Sequence, residues 1–516
     1  MTIIVLFIVM LLIVVIVSDG ISALPIARNS QNYQAALQAA DSGVEDFINR
    51  LDNNTTYYTT TTDLTNPALQ NGVSPWSATS GTWAPVPGTS VNEWYRYSIN
   101  DSQTTRSGVV YLTVTGAAGQ NPAVAGDQYS LRTIKVAINL NGFTNFLYYT
   151  DYEIESPAIS GLASKCILHA WQWNGSGYGP PSSCSSEIIY FVGNATQQDG
   201  LNGPVYSNDA LHICGNPAFP DGAVSAYDQA TTADVANTTS YGGQGAYIGD
   251  ASCTNAPTWF GVTNPTTLNP PQPVQPTGST DTPFPTTNTS LATDTGSSYN
   301  GGGCLYTGPI TVLFNGATMK VTLASGSTAT PSTCSNGSNY VSLPPNGLLY
   351  DQTAKTCSQT SCQANVSVSG TVTGQVTVGS DNDITVTNNL LDTGGTTGNT
   401  NIIGLSAANS IILNPVSSLQ IDAAMVALGN SIYLTNWASQ PILGNLTIYG
   451  SMAQEYRGPV GTFNSGGIVS GYSKNYNYDS RLRFLQPPYF TAPTLPNWTK
   501  SSFTECNSTV RPGTTC

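Results

Sequence analysis

MTIIVLFIVMLLIVVIV, residues 1–17, carries one polar side chain, Thr2, and no charge. As a helix rising about 1.5 Å per residue it reaches about 26 Å, slightly short of the ~30 Å hydrocarbon layer of a bilayer. Asp19 and Gly20 end the run, and Pro25 follows. From Ser30 a second pattern begins, in which Tyr33, Leu37, Ala40, Val44, Phe47 and Leu51 recur every three or four residues with alanines between them. That spacing predicts one apolar stripe on a helix. The whole reads as an apolar rod continuing into an amphipathic helix over residues 1–51. A weak point is expected between Gly20 and Pro25, where helix hydrogen bonds are easily lost.

A cleaved secretory signal has a basic leading region, and this chain has no Lys or Arg before Arg28. An ordinary one-pass anchor and an assembly helix remain. The layout, together with QAALQAADSGVEDFINRL (residues 34–51), resembles the N-terminal helix of type IV pilins, particularly large pilin-like proteins of Gram-positive and related bacteria. The resemblance implies that Ile3, Leu6, Phe7, Met10, Leu11, Val14, Tyr33, Leu37, Val44 and Phe47 serve assembly. Many major pilins have a Glu at the fifth mature position. This chain has Val5, which would suit a tip or minor subunit if Met1 is the mature start.

At 516 residues the chain is long enough for two or three domains or one elongated one. Only 9 % of residues are charged, 15 basic against 29 acidic, for a net charge of −14. Nucleic acid is excluded as a partner on this ground, because phosphate binding needs a clustered positive surface. Abundant Thr, Ser, Asn and Gly must solvate the surface, and the 50 glycines fit a β-rich fold with many turns.

All ten cysteines lie beyond residue 165 and fall into neighbours: Cys166/Cys184, Cys214/Cys253, Cys304/Cys334, Cys357/Cys362 and Cys506/Cys516. Spacing alone leaves connectivity open. Zinc is disfavoured because tight CxxC pairs are missing and the histidines are His169 and His212 alone. Disulfides in an oxidising compartment are the expectation. Asn-x-Ser/Thr triplets at Asn54, Asn174, Asn194, Asn237, Asn288, Asn336, Asn365, Asn445, Asn497 and Asn507 are compatible with surface glycosylation.

Residues 52–90 are Thr/Asn/Pro-rich and predict a loop. YRYSIN, GVVYLTVTG and LRTIKVAINL, within residues 94–147, alternate as antiparallel strands with one apolar face. Such a sheet buries its face against the amphipathic helix, giving a β-rich head over 52–147. FLYYTDYE (146–153) reads as an aromatic strand at a domain junction. In GPVYSNDALHICG (203–215), Asn208, Asp209 and His212 could form a polar catalytic cluster, but turn residues bonding their own backbone are commoner. Residues 263–303, rich in Pro, Thr, Ser and Gly, predict an extended insertion that buries no core.

In VSVSGTVTGQVTVGSDNDITV, Val366, Val368, Val372, Val376, Val378, Ile384 and Val386 all stand at even positions, with Gly370 and Gly374 where the chain must bend. Short strands follow at 410–413, 419–421, 425–428, 431–434 and 445–449. A sandwich and a parallel β-helix both fit; few two-residue hairpin turns and a rung-like recurrence favour the β-helix over 148–490. Residues 450–490 hold Arg457, Lys474, Arg481 and Arg483 among tyrosines. A basic-aromatic cluster can bind glycans or single strands, yet pairing with carboxylates inside an acidic chain is the stronger expectation. Residues 491–516 read as a C-terminal tail with a disulfide.

With IDAAMVALGNSIYLTNW (421–437), residues 146–153, 203–215 and 450–490 resemble a family of large bacterial pilin-like surface proteins that join a pilin-type helix to a β-helical ectodomain. The implied class is α+β: a long N-terminal helix, an antiparallel head, then a mainly-β ectodomain. The implied function is that of a structural subunit of an extracellular type IV pilus-like filament, displaying its ectodomain for surface attachment. Its partners would be other copies of itself, other pilins and assembly machinery, and the membrane before assembly. A charge at Leu11 should then abolish assembly. The alternative is a membrane-anchored β-helical adhesin outside any filament. A β-helical lyase or hydrolase is the weakest class, since the acids are scattered and Asp381/Asp383 is the one tight pair in the β-rich half. No catalytic residue, cofactor or metal site is expected.

Overall fold

The computed structural model describes residues 2–54, 57–59, 66–69, 83–88, 92–100, 109–124, 128–161, 172–173, 178–179, 189–193, 199–208, 211–215, 217, 219–221, 223–225, 246–248, 284–296, 302–354, 362–395, 398–464, 467–493 and 497–506. The chain divides into two compact units. One comprises residues 1–105, 109–140 and 497–516, and the other residues 106–108 and 141–496.

In the first unit a single helix, α1, runs Thr2–Asn53 with Pro25 inside it. The Gly20–Pro25 weak point therefore does not end the helix. A five-stranded sheet accompanies it, in the order Ala84–Pro85, Glu93–Asn100, Val109–Gly119, Tyr129–Asn141 and Asn497–Glu505. The first three junctions of this order are antiparallel, with Ala84 opposite Tyr95, Ile99 opposite Leu112 and Leu112 opposite Val136. Ala40, Val44, Phe47 and Leu51 of α1 are buried with Tyr95, Tyr97, Leu112, Val114, Ile134, Val136 and Trp498 in one core. Small residues allow the helix to lie directly on the sheet. A Cβ at Gly116 would stand 2.0 Å from the Ala36 carbonyl oxygen, and one at Gly43 would stand 2.7 Å from the Val114 side chain. The segment expected as a separate C-terminal tail thus contributes the edge strand of this sheet. Tyr57, Ala68 and Leu69, from the stretch expected as loop, are buried in the same core.

Among the described residues the second unit is built on a sheet of 21 strands, many of which alternate along the chain between two runs. In one run Cys304–Thr307, Leu348–Gln352, Gln375–Ser380, Ile402–Ala407 and Ala424–Ala427 lie parallel in succession, followed by residues 451–454. In the other, Ile310–Gly316, Asn365–Val372, Asp383–Asp392, Ile411–Leu413 and Ile432–Leu434 do the same. The even-numbered set Val366, Val368, Val372, Val376, Val378, Ile384 and Val386 is entirely buried in one cluster with Leu405, Met425 and Ile448. Alternation sends these side chains to one face because successive Cβ atoms in a strand point oppositely. Gly370 adopts φ +111°, and a Cβ there would meet the Phe314 carbonyl oxygen at 2.1 Å, so the bend requires glycine.

The stack does not follow chain order at its far end. Tyr148–Tyr152 lies parallel to the end of Ile442–Tyr456 and carries Val205–Ser207 on its other side. FLYYTDYE is thus interior to the stack, with Tyr148, Tyr149 and Glu153 buried. The insertion at 263–303 needs a correction as well. Residues 263–283 and 297–301 lie outside the described residues, but Phe284 is buried with Phe143 and Tyr149. The helix Ser290–Thr295 places Leu291 against Leu348, Tyr350 and Tyr489. Its apolar residues, sparse as they are, do bury a core.

Candidate assembly surface

Helix α1 has two halves of opposite character. Over residues 36–51 its apolar stripe is consumed by the sheet, and the helix is anchored by polar contacts too. The Tyr97 hydroxyl donates to Asp46 Oδ2 at 2.9 Å, Arg50 Nε donates to the same oxygen at 3.0 Å, and the Trp498 amide donates to Asp52 at 3.2 Å. Arg50 is held above its usual range by Asp46 despite the opposing effect of burial. Nearer the N-terminus the pattern inverts. Ile3 is 82 % exposed, Phe7 and Met10 66 % each, and Ile4, Val9 and Ile13 are exposed as well. Large apolar side chains left in water on one element mark an interaction surface.

The ten expected assembly residues accordingly separate. Ile3, Phe7 and Met10 belong to the exposed half, while the side chains of Leu6, Leu11 and Val14 lie outside the described residues. Tyr33 carries the Arg132 guanidinium over its ring at 4.4 Å. Leu37 packs against the head core, and Val44 and Phe47 are fully buried in it. The side chains of Val44 and Phe47 thus have an intramolecular role, because the sheet already occupies their face, while Leu37 is half-buried at its margin. Among the described residues no helix is long and apolar enough to cross a membrane, so the expected membrane-embedded stage gains no support from them.

Of the cysteines, Cys304 and Cys334 form a disulfide with Cα atoms 5.7 Å apart, as their spacing suggested. Cys362 and Cys506 are also disulfide-bonded. The side chain of Cys214, and Cys166, Cys184, Cys253, Cys357 and Cys516 altogether, lie outside the described residues. Among the sequons, Asn54, Asn336 and Asn445 are exposed and Asn365 is half-buried. Asn288 is overturned as a glycan acceptor: it is buried, donating to the Ser380 and Ser406 carbonyls and accepting from the Tyr350 hydroxyl. The side chain of Asn497, and Asn174, Asn194, Asn237 and Asn507, lie outside the described residues.

The basic residues of 450–490 are paired inside the protein. Arg457 Nη1 donates to Glu153 Oε2 at 2.8 Å, Lys474 Nζ to Asp199 Oδ2 at 2.6 Å, and Arg481 to both Asp392 and Asp479. Arg483 lies over the Tyr478 ring at 5.6 Å. Asn208 is buried and donates to Asp151 at 2.9 Å, while Asp209 and the His212 side chain are not among the described residues. Of the tight acidic pair, Asp381 accepts from the Tyr350 hydroxyl and the Thr353 amide. Asp383 accepts from Asn409 and the Ser410 amide, and burial nonetheless raises it.

Two carboxyls that sequence reading passed over stand out. Asp351 is fully buried with neither oxygen hydrogen-bonded among the described residues, and burial, then the Asp381 charge, pushes it up to about 8. Burial, then Asp151, raises Glu455 to about 7. Among the described residues no group of three or more His, Cys, Asp or Glu could hold a metal ion.

No family model matches the chain. No curated protein matches it either. Among solved structures, the competence-associated pilin ComZ from Thermus thermophilus is similar at 11 % sequence identity over 92 % of this chain and 97 % of that one, with a TM-score of 0.25. A likeness that slight carries no argument about fold or function.

Proposed function

We propose that this chain is a structural subunit of a type IV pilus-like extracellular filament, assembled through the N-terminal half of α1. The observation that carries this reading is the division of that one helix. Its 36–51 half is sealed into the head, whereas Ile3, Ile4, Phe7, Met10 and Ile13 stand exposed. Burying each such side chain against other copies stabilises by about 1.5–3 kcal/mol, so a bundle of these helices offers ample driving force. Before assembly the same half resides in a membrane. The strand stack winds as a parallel β-helix, a reading supported by the two alternating runs of parallel pairing. The chain displays this ectodomain for attachment and has no catalytic function, cofactor or metal in this account.

Replacing Phe7 with Lys tests the assignment. A charge there is expected to leave the head folded and to remove the protein from filaments sheared off producing cells. Filaments of normal abundance containing F7K protein would overturn it. Wild-type protein confined to the membrane fraction would replace it with the anchored adhesin.

A further inference from the structure

We propose that Lys474 and Asp199 are the site of an intramolecular amide cross-link, which the folded chain forms by itself with loss of one water. The inference does not depend on filament assembly. Lys474 stands on the strand Gly467–Tyr478 and Asp199 immediately precedes the parallel strand Gly200–Asn202, each one position ahead of the paired residues Asn475 and Gly200, so the register brings them side by side. Nζ of Lys474 lies 2.6 Å from Asp199 Oδ2. The lysine side chain is 13 % exposed and the aspartate 2 %.

The pair is enclosed by apolar and aromatic side chains. Phe191 and Tyr476 are buried beside the pair, and the Lys474 ammonium lies 6.0 Å from the centre of the Phe191 ring. An ammonium in such a dry volume loses its hydration, which favours the neutral amine. Burial does lower the Lys474 ammonium, against the opposing pull of Asp199. The Val192 amide donates to Asp199 Oδ2 at 2.9 Å and orients the carboxyl. Arg457 stands over the same Phe191 ring at 3.6 Å and acts electrostatically on Asp199. Its Nη1 is engaged by Glu153 and the Ile189 carbonyl, but its buried Nη2 has no hydrogen-bond partner among the described residues. A buried donor left unpaired is costly, and the Arg457 charge acts on the pair from beside it.

The step balances within the pair. One ammonium proton passes from Nζ to the Asp199 carboxylate across the short contact. The neutral amine then attacks Cγ, forming the N–C bond and placing negative charge on the carboxyl oxygen. The C–OH bond breaks, and the hydroxyl takes a second proton from nitrogen and leaves as water. Nothing is oxidised or reduced. Arg457 serves as a positioning residue. The link would join residues 275 apart in sequence, tying the late strand Gly467–Tyr478 to an early one.

Mass spectrometry of the purified, reduced full chain tests this. The expected mass is lower than the sequence mass by one water, and a tryptic digest should contain a branched peptide joining the segments around Lys474 and Asp199. Full mass, with a free peptide ending at Lys474, overturns the proposal. So does water loss without a branched peptide, which is the signature of a cyclic imide at Asp199–Gly200. The variants Lys474→Arg and Asp199→Ala should restore full mass, and Arg457→Lys should slow appearance of the branched peptide without changing its identity. Persistent water loss in K474R would contradict the assignment. Because a variant of a buried pair can fail to fold, the wild-type digest decides the matter alone.

Discussion

Replacing Asp351 with Asn should change how stability responds to pH. Asp351 lies on the strand Leu348–Gln352, opposite Tyr306 on one neighbouring strand and Ser380 on the other. It is fully buried, and neither carboxyl oxygen has a hydrogen-bond partner among the described residues. Burial and Asp381 raise it from 3.8 to about 8 in the folded chain. Between these values the folded protein keeps a proton that the unfolded chain has released, so stability falls as pH rises. The slope is about 1.4 kcal/mol per pH unit, or roughly 3 kcal/mol between pH 5 and 7. Asn is neutral throughout and of similar shape. D351N should match the wild type near pH 4 and surpass it increasingly up to pH 8. Urea unfolding followed by tryptophan fluorescence at pH 5, 6 and 7 reads the difference directly. Glu455 titrates in the same window with the same sign, but it is common to both proteins and cancels. Parallel stability profiles for the two proteins would refute the reasoning, since they would mean that Asp351 is ionised or solvated in the fold.

Phe47→Ala should destabilise the head by about 3–5 kcal/mol, because Phe47 is fully buried between Tyr57 and Tyr97; chemical unfolding of the head signal measures it. Gly116→Val should separate α1 from the sheet, as its first side-chain atom already meets helix backbone at 2.0 Å; rapid proteolysis within residues 36–51 is the expected readout. Arg457→Met should cost about 3–5 kcal/mol by stranding the buried Glu153 carboxylate, and adding Glu153→Gln should recover part of the loss in the same unfolding assay.

Local pattern conveyed those parts of the fold in which one face is wet or one period is strict. The helical stripe from Tyr33 to Leu51 and the even-numbered apolar residues from Val366 to Val386 are such parts: the latter are all buried, and of the stripe Ala40, Val44, Phe47 and Leu51 are buried, Leu37 is half-buried and Tyr33 is exposed. Covered on both faces, Leu348–Gln352 hid its chemistry. Leu348 and Tyr350 pack to one side and Leu349 to the other, so Asp351 carried no signal of being interior. Partner choice across long separations was equally invisible. Nothing near residue 148 indicates that Tyr148 will lie beside Met452, or that Trp498 will close the core begun by α1. Composition misled at 284–296, where two large apolar residues suffice to dock a segment, and the Asn288 sequon shows that a triplet cannot report burial. For the charge clusters, the basic residues near the C-terminal end were legible as a group, but Asp199 and Glu153 as their partners required the pairing of strands 275 and 304 residues apart.

The central claim is that the exposed apolar half of α1 is the surface through which copies of this chain assemble. Peptide mass spectrometry of filaments sheared from producing cells tests it most directly. The account predicts peptides spanning the described ectodomain, among them those containing Val366–Val386, in abundance in the sheared fraction. Recovery of the protein solely from membranes or from medium as a dispersed monomer would contradict it.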